Sequence, residues 1–301
     1  MRASTLLLSL LLVPLVPLLL LGMLLLTLYA WWRGRRDEQD PTQAQLFAER
    51  AKPPLHTRAL WLGVESMWQS VAFARQTLHA LPPRRRLQID PGDGTPVIVL
   101  SGYLENSGTM LTLSRRLRDQ GFRVVQADFP STLRPIESNA DWLRDTILEL
   151  LRSTGAEAVA VVAHSMGGIV SRVCVHRHPE LPVRTVVSLA SPHRGTHLAR
   201  LGIGRSARDM TPGSEFMRAY PPHKRGRVPV HTLVSDQENI VSPSWSVVLG
   251  EGENVVLHEP VGHVGPLFLR SASAHVVRWL EQAGVQRNAT QRAPASSQLV
   301  G

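Results

Sequence analysis

One serine of the chain has the local setting of a nucleophile. Ser165 follows the apolar run Ala158-Val-Ala-Val-Val-Ala163 and precedes two glycines, as at a sharp turn from a strand into a helix. Such a turn needs small residues two positions before and after the serine, because larger side chains would clash as strand and helix approach. Ala163 and Gly167 meet that need. The turn exposes the hydroxyl, and the helix N-terminus behind it favours developing negative charge.

A hydroxyl attacks efficiently only when a base removes its proton, so an imidazole is required within hydrogen-bond reach. Of the 12 histidines, His263 and His258 are the candidates for this base. We expect His164, next to the serine, to point away from it. His193 belongs to a Ser-Pro-His-Arg-Gly segment, which we expect to shape the wall of the site.

From residue 96 onward, short apolar runs alternate with longer amphipathic segments. The runs predict strands at residues 97–100, 122–127, 158–163, 183–189, 228–234 and 255–257, with helices between them. Near-continuous apolar strands separated by helices indicate a mostly parallel sheet with helices on both faces. The active site of such a sheet lies at the carboxyl ends of its strands. Six polar residues follow predicted strands there: Ser101, Ser165, Ser191, Asp236, Glu238 and His263.

Three segments resemble those of bacterial lipases and related esterases of the α/β-hydrolase fold. Ala-His-Ser-Met-Gly-Gly around Ser165 resembles the lipase nucleophile turn, and residues 188–196 resemble the segment after the next strand. Leu-Ser-Gly-Tyr, at residues 100–103, stands where lipases carry a His-Gly pair after their first core strand. The resemblance spans residues 95–283 and implies an α/β-hydrolase catalytic domain.

The resemblance also implies a catalytic triad, in the chain order serine, acid, histidine. Ser165 is the expected nucleophile, and His263 matches the Gly-His segment that carries the base. Residues 235–243 resemble the lipase segment in which an acid precedes Ile-Val-x-Pro, and that register places the acid at Glu238. The family usually has aspartate there, and Asp236 is the alternative acid.

An oxyanion hole needs two preorganised backbone N–H groups. In this fold one comes from the residue after the nucleophile, here Met166, and the other from the loop after the first core strand. By resemblance, Tyr103 is the second donor. Ser101 replaces the family's histidine in that loop, which removes a side chain that we expect to support it.

Residues 5–32 carry no charge and are dominated by leucine. This run is long enough to cross a hydrocarbon core of about 30 Å and much longer than the apolar region of a signal peptide. Tyr29, Trp31 and Trp32 stand at its end, where interfacial aromatic residues belong. We therefore expect a single N-terminal transmembrane helix. More arginines follow the run than precede it, which favours a cytoplasmic catalytic domain.

The predicted organisation has four parts. An anchor occupies residues 1–36, and a linker with an amphipathic helical segment occupies residues 37–90. The catalytic domain follows at residues 91–284, with a cap at 197–226, and a polar tail occupies residues 285–301. We expect the helical stretch near residues 60–81 to pack against the domain.

The chain has 33 Lys+Arg against 24 Asp+Glu, a net charge of +9. This balance suits an anionic membrane surface or a nucleic acid. The basic runs are short and scattered, and no nucleic-acid-binding module accompanies them, so we discount nucleic acid as a partner. The single cysteine, Cys174, excludes an intramolecular disulfide and a Cys-based zinc site, and we expect it in the core. The mechanism needs no metal or cofactor.

The sequence thus predicts a membrane-anchored serine hydrolase that cleaves lipid or other carboxylic esters through an acyl-serine. Two alternatives stay open: an acyltransferase that passes the acyl group to an alcohol or amine, and a membrane-tethered binding or scaffold protein with a decayed site. Departures from the family at Ser101, Ala163 and Glu238 support the scaffold. Retention of the serine, the base and the oxyanion turn favours the enzyme.

Overall fold

The computed structural model describes residues 55–79, 87–224 and 226–289, together with Gly22, Leu25 and Tyr29. The predicted membrane helix at residues 5–32 therefore lies outside the described residues, apart from those three positions. In the part that is described, no helix combines the length and the apolar character needed to cross a bilayer.

Within the described residues, seven strands form one sheet: β1 (Leu87–Ile89), β2 (Pro96–Leu100), β3 (Arg123–Ala127), β4 (Val159–His164), β5 (Val183–Leu189), β6 (Val230–Ser235) and β7 (Asn254–Leu257). The helices are α1 (Leu55–His79), α2 (Leu111–Asp119), α3 (Ile136–Thr154), α4 (Met166–Arg177), α5 (Gly204–Asp209), α6 (Glu215–Ala219) and α7 (Arg270–Gln282). Short 3₁₀ turns occupy His197–Leu201, Ser244–Val247 and Gly265–Phe268.

The sheet is buried on both faces. Alternate residues of β2 point to opposite sides, so that Val97 and Val99 pack with apolar residues of α2 and α7. Ile98 and Leu100 pack with apolar residues of α3 and α4 on the other side. The predicted architecture, a mostly parallel sheet between two layers of helices, is confirmed.

Strand β1 was not predicted from the sequence. It pairs antiparallel with β3 at one edge of the sheet, although its residues fall in the segment assigned above to the linker and helix. Three residues with a polar one in the middle, Leu-Gln-Ile, are too few to show a strand periodicity. The domain boundaries as a whole stay a prediction.

The strand order, β1-β3-β2-β4-β5-β6-β7, reverses direction between β2 and β4. The chain leaves β2 for β3 on one side and then returns to β4 on the other. Such a switch point opens a crevice at the carboxyl ends of the two strands. Leu100 and Ala163 are register partners at those ends, so the loop after β2 lies beside the turn that carries Ser165.

Candidate active site

Ser165 is the single residue between the end of β4 and the start of α4. Its backbone has φ 53° and ψ −124°, a conformation that L-residues rarely adopt. Such strain costs about 1–3 kcal/mol and persists only where the surroundings enforce it. The Ser165 amide donates a hydrogen bond to the Leu189 carbonyl at 2.8 Å. The side chain is partly exposed at the carboxyl edge of the sheet.

The small residues around this turn are required by close packing. A Cβ atom on Gly167 would lie 2.5 Å from the Ser101 carbonyl oxygen, which no side chain tolerates. Ala163 is fully buried, between Leu100 and Ser188 on the neighbouring strands. The turn therefore has the geometry that its sequence predicts.

His263 and Glu238 form a buried pair, and the His263 ring lies 4.7 Å from the ring of His164, the residue before Ser165. The Nδ1 atom of His263 lies 3.0 and 3.1 Å from the two carboxylate oxygens of Glu238. The Glu238 carboxylate also accepts hydrogen bonds from the amides of Ile240 and Val241, at 2.8 and 3.0 Å. Three donors therefore hold the carboxylate in one orientation.

The alternative acid and the alternative base contact each other instead. Asp236 lies 3.0 Å from Nδ1 of His258, and the His258 side chain is exposed. Of the two acids that the sequence left open, Glu238 is therefore the one that contacts His263. The catalytic roles of these residues stay a prediction.

Burial and nearby charges shift the pKa values of Glu238 and His263 in opposite directions. Burial alone would raise the pKa of Glu238, but the nearby His263 and the hydrogen bonds to the carboxylate lower it below its ordinary value. Burial alone would lower the pKa of His263, but Glu238 first, and then Glu105 and Glu65, raise it above its ordinary value. The environment therefore stabilises an ionised acid and a charged imidazole, as a triad needs when the base takes a proton.

The loop after β2 lies directly over the serine. A Cβ atom on Gly102 would come within 2.8 Å of the Ser165 Cβ atom. The Gly102 amide donates to Oε2 of Glu105 at 2.7 Å, and the same oxygen lies 3.0 Å from Nδ1 of His164. The buried His164 ring then contacts the His263 carbonyl through Nε2, at 3.2 Å. A continuous set of hydrogen bonds thus joins this loop to the base.

Of the two predicted oxyanion donors, Met166 directly follows Ser165, and Tyr103 directly follows Gly102, whose backbone closely approaches the serine. Within the described residues, neither the Tyr103 amide nor the Met166 amide has a protein acceptor. The Tyr103 hydroxyl bonds to the amide and carbonyl of Ile203, at 2.8 and 2.7 Å, which ties the loop to residues 197–226. The hydroxyl of Ser101, which replaces the family's histidine, is buried with no partner among the described residues. Their roles in catalysis stay predictions.

Comparisons with known proteins agree with this fold. Residues 134–202, which include Ser165, match the family model described as a PGAP1-like alpha/beta domain. Aspergillus fumigatus lipase B has a similar structure, with a TM-score of 0.59 and 20% sequence identity over 69% of this chain and 58% of that one.

The chain has the α/β-hydrolase fold. The predicted resemblance to lipases and esterases of that fold is confirmed. Two curated relatives are hydrolases by name. The chain is 30% identical to a lysosomal thioesterase PPT2 homolog of Drosophila melanogaster over 107 residues, covering 34% of this chain and 37% of that protein. It is 30% identical to GPI inositol-deacylase B of Yarrowia lipolytica over 154 residues, covering 41% of this chain and 16% of that protein. The chain thus spans well under half the length of either curated relative.

Two further reactive side chains of this α/β-hydrolase domain are buried. Nε2 of the fully buried His193 lies 2.9 Å from the Ser188 hydroxyl. Burial, together with the nearby Arg172 and Arg194, holds the pKa of His193 well below its ordinary value. Cys174, on α4, is buried in the core, and burial raises the pKa of its thiol to about 12. Neither group suits nucleophilic or base chemistry at neutral pH.

Residue Glu65 was not identified from the sequence. It lies on α1, and its buried carboxylate accepts hydrogen bonds from three amides of the loop that carries His263. The available signal was a single acidic residue on the apolar face of a helix, between Trp61 and Trp68. Acidic residues on helices usually face solvent, so that signal alone does not indicate a site.

Proposed function

We propose that this protein is a membrane-anchored serine hydrolase that cleaves carboxylic esters, preferably of lipids, through an acyl-serine intermediate. The observation that carries the proposal is the buried Glu238–His263 pair beside the strained turn of Ser165. A carboxylate on Nδ1 keeps the proton on that nitrogen, which leaves Nε2 free to act as a base.

In the first half of the reaction, Oγ of Ser165 attacks the ester carbonyl carbon while Nε2 of His263 takes the hydroxyl proton. Glu238 stabilises the imidazolium that results. The carbonyl oxygen becomes an oxyanion, which accepts hydrogen bonds from the amides of Tyr103 and Met166. Collapse of this intermediate breaks the bond to the alkoxy oxygen. His263 protonates that oxygen, and the alcohol leaves.

The second half repeats these steps with water. Water attacks the acyl-serine carbonyl carbon, and His263 takes one of its protons. The second tetrahedral intermediate expels Oγ of Ser165, which regains a proton from the imidazolium. The products are a carboxylic acid and the free enzyme.

Exposed apolar side chains at the rim of the crevice support a lipid substrate. Leu104, Leu201 and Ile203 are 53%, 58% and 62% exposed and lie around Tyr103. Arg200 and Arg205 flank this rim and are also exposed. Apolar side chains next to cationic ones fit the interface of an anionic bilayer, where chains are apolar and headgroups negative.

The proposed anchor is the apolar run at residues 5–32, with the catalytic domain on the cytoplasmic side. Alkaline carbonate extraction tests the anchor, since a spanning helix keeps the protein in the membrane pellet. Protease added to sealed, right-side-out membranes tests the side, because a cytoplasmic domain is protected until the bilayer is opened. Release of the protein by carbonate would exclude the anchor.

The first test of the activity is labelling with a fluorophosphonate probe in membrane preparations. Wild type should be labelled, Ser165→Ala should not, and His263→Ala should be labelled far more slowly. A panel of dispersed lipids and soluble short-chain esters then identifies the preferred substrate and the acceptor. Transfer of the acyl group to an added alcohol or amine would favour the acyltransferase. Absence of labelling in folded wild type would favour the scaffold protein.

A further inference from the structure

Helix α1 presents an acidic residue to the interior of the protein. Glu65 is 2% exposed, and Gln69, Ala72 and His79 on the same face are also buried. A buried carboxylate is costly unless hydrogen bonds or charges compensate it. The hydrogen-bond partners of Glu65 therefore show whether α1 only covers the core or also holds another part of the protein in place.

Those partners are the backbone amides around His263. Oε2 of Glu65 accepts from Gly262 at 2.7 Å and from Gly265 at 3.2 Å, and Oε1 accepts from Val264 at 2.8 Å. The His263 amide donates to the Asn239 side chain at 2.9 Å. All four consecutive amides of this loop are thus held by side chains, and Glu65 holds three of them.

The two glycines of the loop leave room for the carboxylate. A Cβ atom on Gly262 would lie 2.8 Å from Cγ of Glu65, and one on Gly265 would lie 3.0 Å from its Oε2. The two glycines of the Gly-His-Val-Gly segment therefore make space for the side chain of Glu65, which lies on a helix about 200 residues earlier in the chain.

The same helix contacts the loop that lies over Ser165. Gln76 donates to the Leu104 carbonyl at 3.0 Å and accepts from the Asn106 side chain at 3.0 Å. Nε2 of His79 lies 2.9 Å from the Ser107 hydroxyl. One face of α1 thus contacts both loops that the proposed mechanism uses.

We propose that Glu65 is a positioning residue for the catalytic base, and that α1 is part of the framework of the active site. The proposal rests on the function proposed above, since it assigns Glu65 to the reaction in which His263 is the base. Loss of the carboxylate would release three amides next to His263. A displacement of about 1 Å at a catalytic group can lower a rate by about 10²-fold.

A purely structural role is distinguishable because the Glu65 carboxylate also raises the pKa of His263, although burial raises the pKa of Glu65 itself. The charged and titratable groups around the His263 ring are Glu238, Glu105, Glu65 and His164. When one carboxylate of this set is removed, the imidazolium is stabilised less, so the pKa of His263 falls and the imidazole loses its proton at a lower pH. The acidic limb of the kcat/KM profile should then move to lower pH.

The test compares Glu65→Gln and Glu65→Ala with wild type in the full chain, using a soluble ester across a pH series. We expect a fall in kcat of about 10- to 10²-fold, an unchanged KM and an acidic limb displaced to lower pH. Glu65→Gln keeps the size of the side chain and carries the test if the alanine variant fails to fold.

Trp68→Leu is the matched control, because Trp68 stacks on Phe268 at 4.5 Å and docks the same helix without changing charge. This variant should lower the stability of the protein and leave the acidic limb of the kcat/KM profile at the same pH as in wild type. An unchanged kcat, or a limb that stays in place in the Glu65 variants, would overturn the positioning role. Failure of wild type to react with the fluorophosphonate would instead overturn the proposed function.

Discussion

At the scale of single residues, the environment of His263 determines the pH at which the proposed reaction runs. Burial lowers the pKa of the imidazole, but Glu238, Glu105 and Glu65 together raise it above its ordinary value of 6.5. The base must be neutral to take the proton from Ser165, so activity is lost as the pH falls through this raised pKa. We expect the acidic limb of kcat/KM to have its midpoint above pH 6.5, measured with a soluble ester.

Replacement of the acid tests which carboxylate serves the base. Glu238→Gln should lower kcat by about 10²–10⁴-fold, because the imidazolium loses its partner and the tautomer is no longer fixed. Its acidic limb should move to lower pH. Asp236→Asn is the matched control and should change neither quantity, because Asp236 pairs with the exposed His258. The opposite pattern would assign the acid to Asp236.

Gly102 lies so close to Ser165 that a larger residue at this position should disturb the nucleophile. Gly102→Ala should lower the rate of fluorophosphonate labelling at least about 10-fold, since loop and serine must separate and catalytic geometry is lost. Gly63→Ala is the control, because nothing lies within 4 Å of a Cβ atom built on that helical glycine. Equal labelling rates for Gly102→Ala and wild type would show that the loop adapts to a methyl group.

The sequence located part of the candidate site. Ser165 lies in a short local pattern, and the resemblance to lipases indicated His263 and Glu238 through the Gly-His and Ile-Val-x-Pro segments. Glu65 and Glu105 could not, because their importance comes from contacts between separate elements. The contacts of Glu65 join residues that are 197–200 positions apart.

At the scale of elements, the segment at residues 197–226 supports the domain as well as bordering the crevice. Asp209, at the end of α5, accepts a hydrogen bond from the first helical amide of α3, Ile136, at 2.9 Å. Asp209→Ala should lower the free energy of unfolding by about 1 kcal/mol, because a helix N-terminus loses its cap. Asp209→Asn keeps a hydrogen-bond acceptor, so its free energy of unfolding, measured by chemical denaturation, should fall by less. Equal losses would show that the cap contributes little.

Six of the strands were predicted well, whereas the two short helices and the edge strand were not. The six predicted strands match β2 to β7 to within two residues at either end. Helices α5 and α6 have six and five residues, and a segment of that length holds fewer than two helical turns. Strand β1 exists because the edge of β3 offers free hydrogen-bonding groups, which is a property of the folded sheet.

At the scale of the whole molecule, the net charge of +9 and the apolar rim should act together at a lipid surface. The double variant Leu201→Ser and Ile203→Ser should lose at least about 10-fold of its activity on anionic vesicles that contain an ester lipid, because apolar contact with the bilayer is lost. Its activity on a soluble short-chain ester should be unchanged. Added salt should weaken vesicle binding of wild type.

Leu78→Ser is the control for this experiment, since Leu78 on α1 is also exposed. It should leave activity on vesicles near that of wild type. An equal loss on vesicles and on the soluble ester would indicate damage to the catalytic site and would count against the lipid surface.

The bonds between Glu65 and the His263 loop have a consequence for biosynthesis. Glu65 leaves the ribosome early, and its partners follow almost 200 residues later. Contacts at such long separation form late, because the entropy of closing so large a loop must first be overcome. A nascent or incompletely folded chain therefore contains its serine without a correctly oriented base. If the proposed reaction holds, hydrolytic competence arises only when the chain has completed folding.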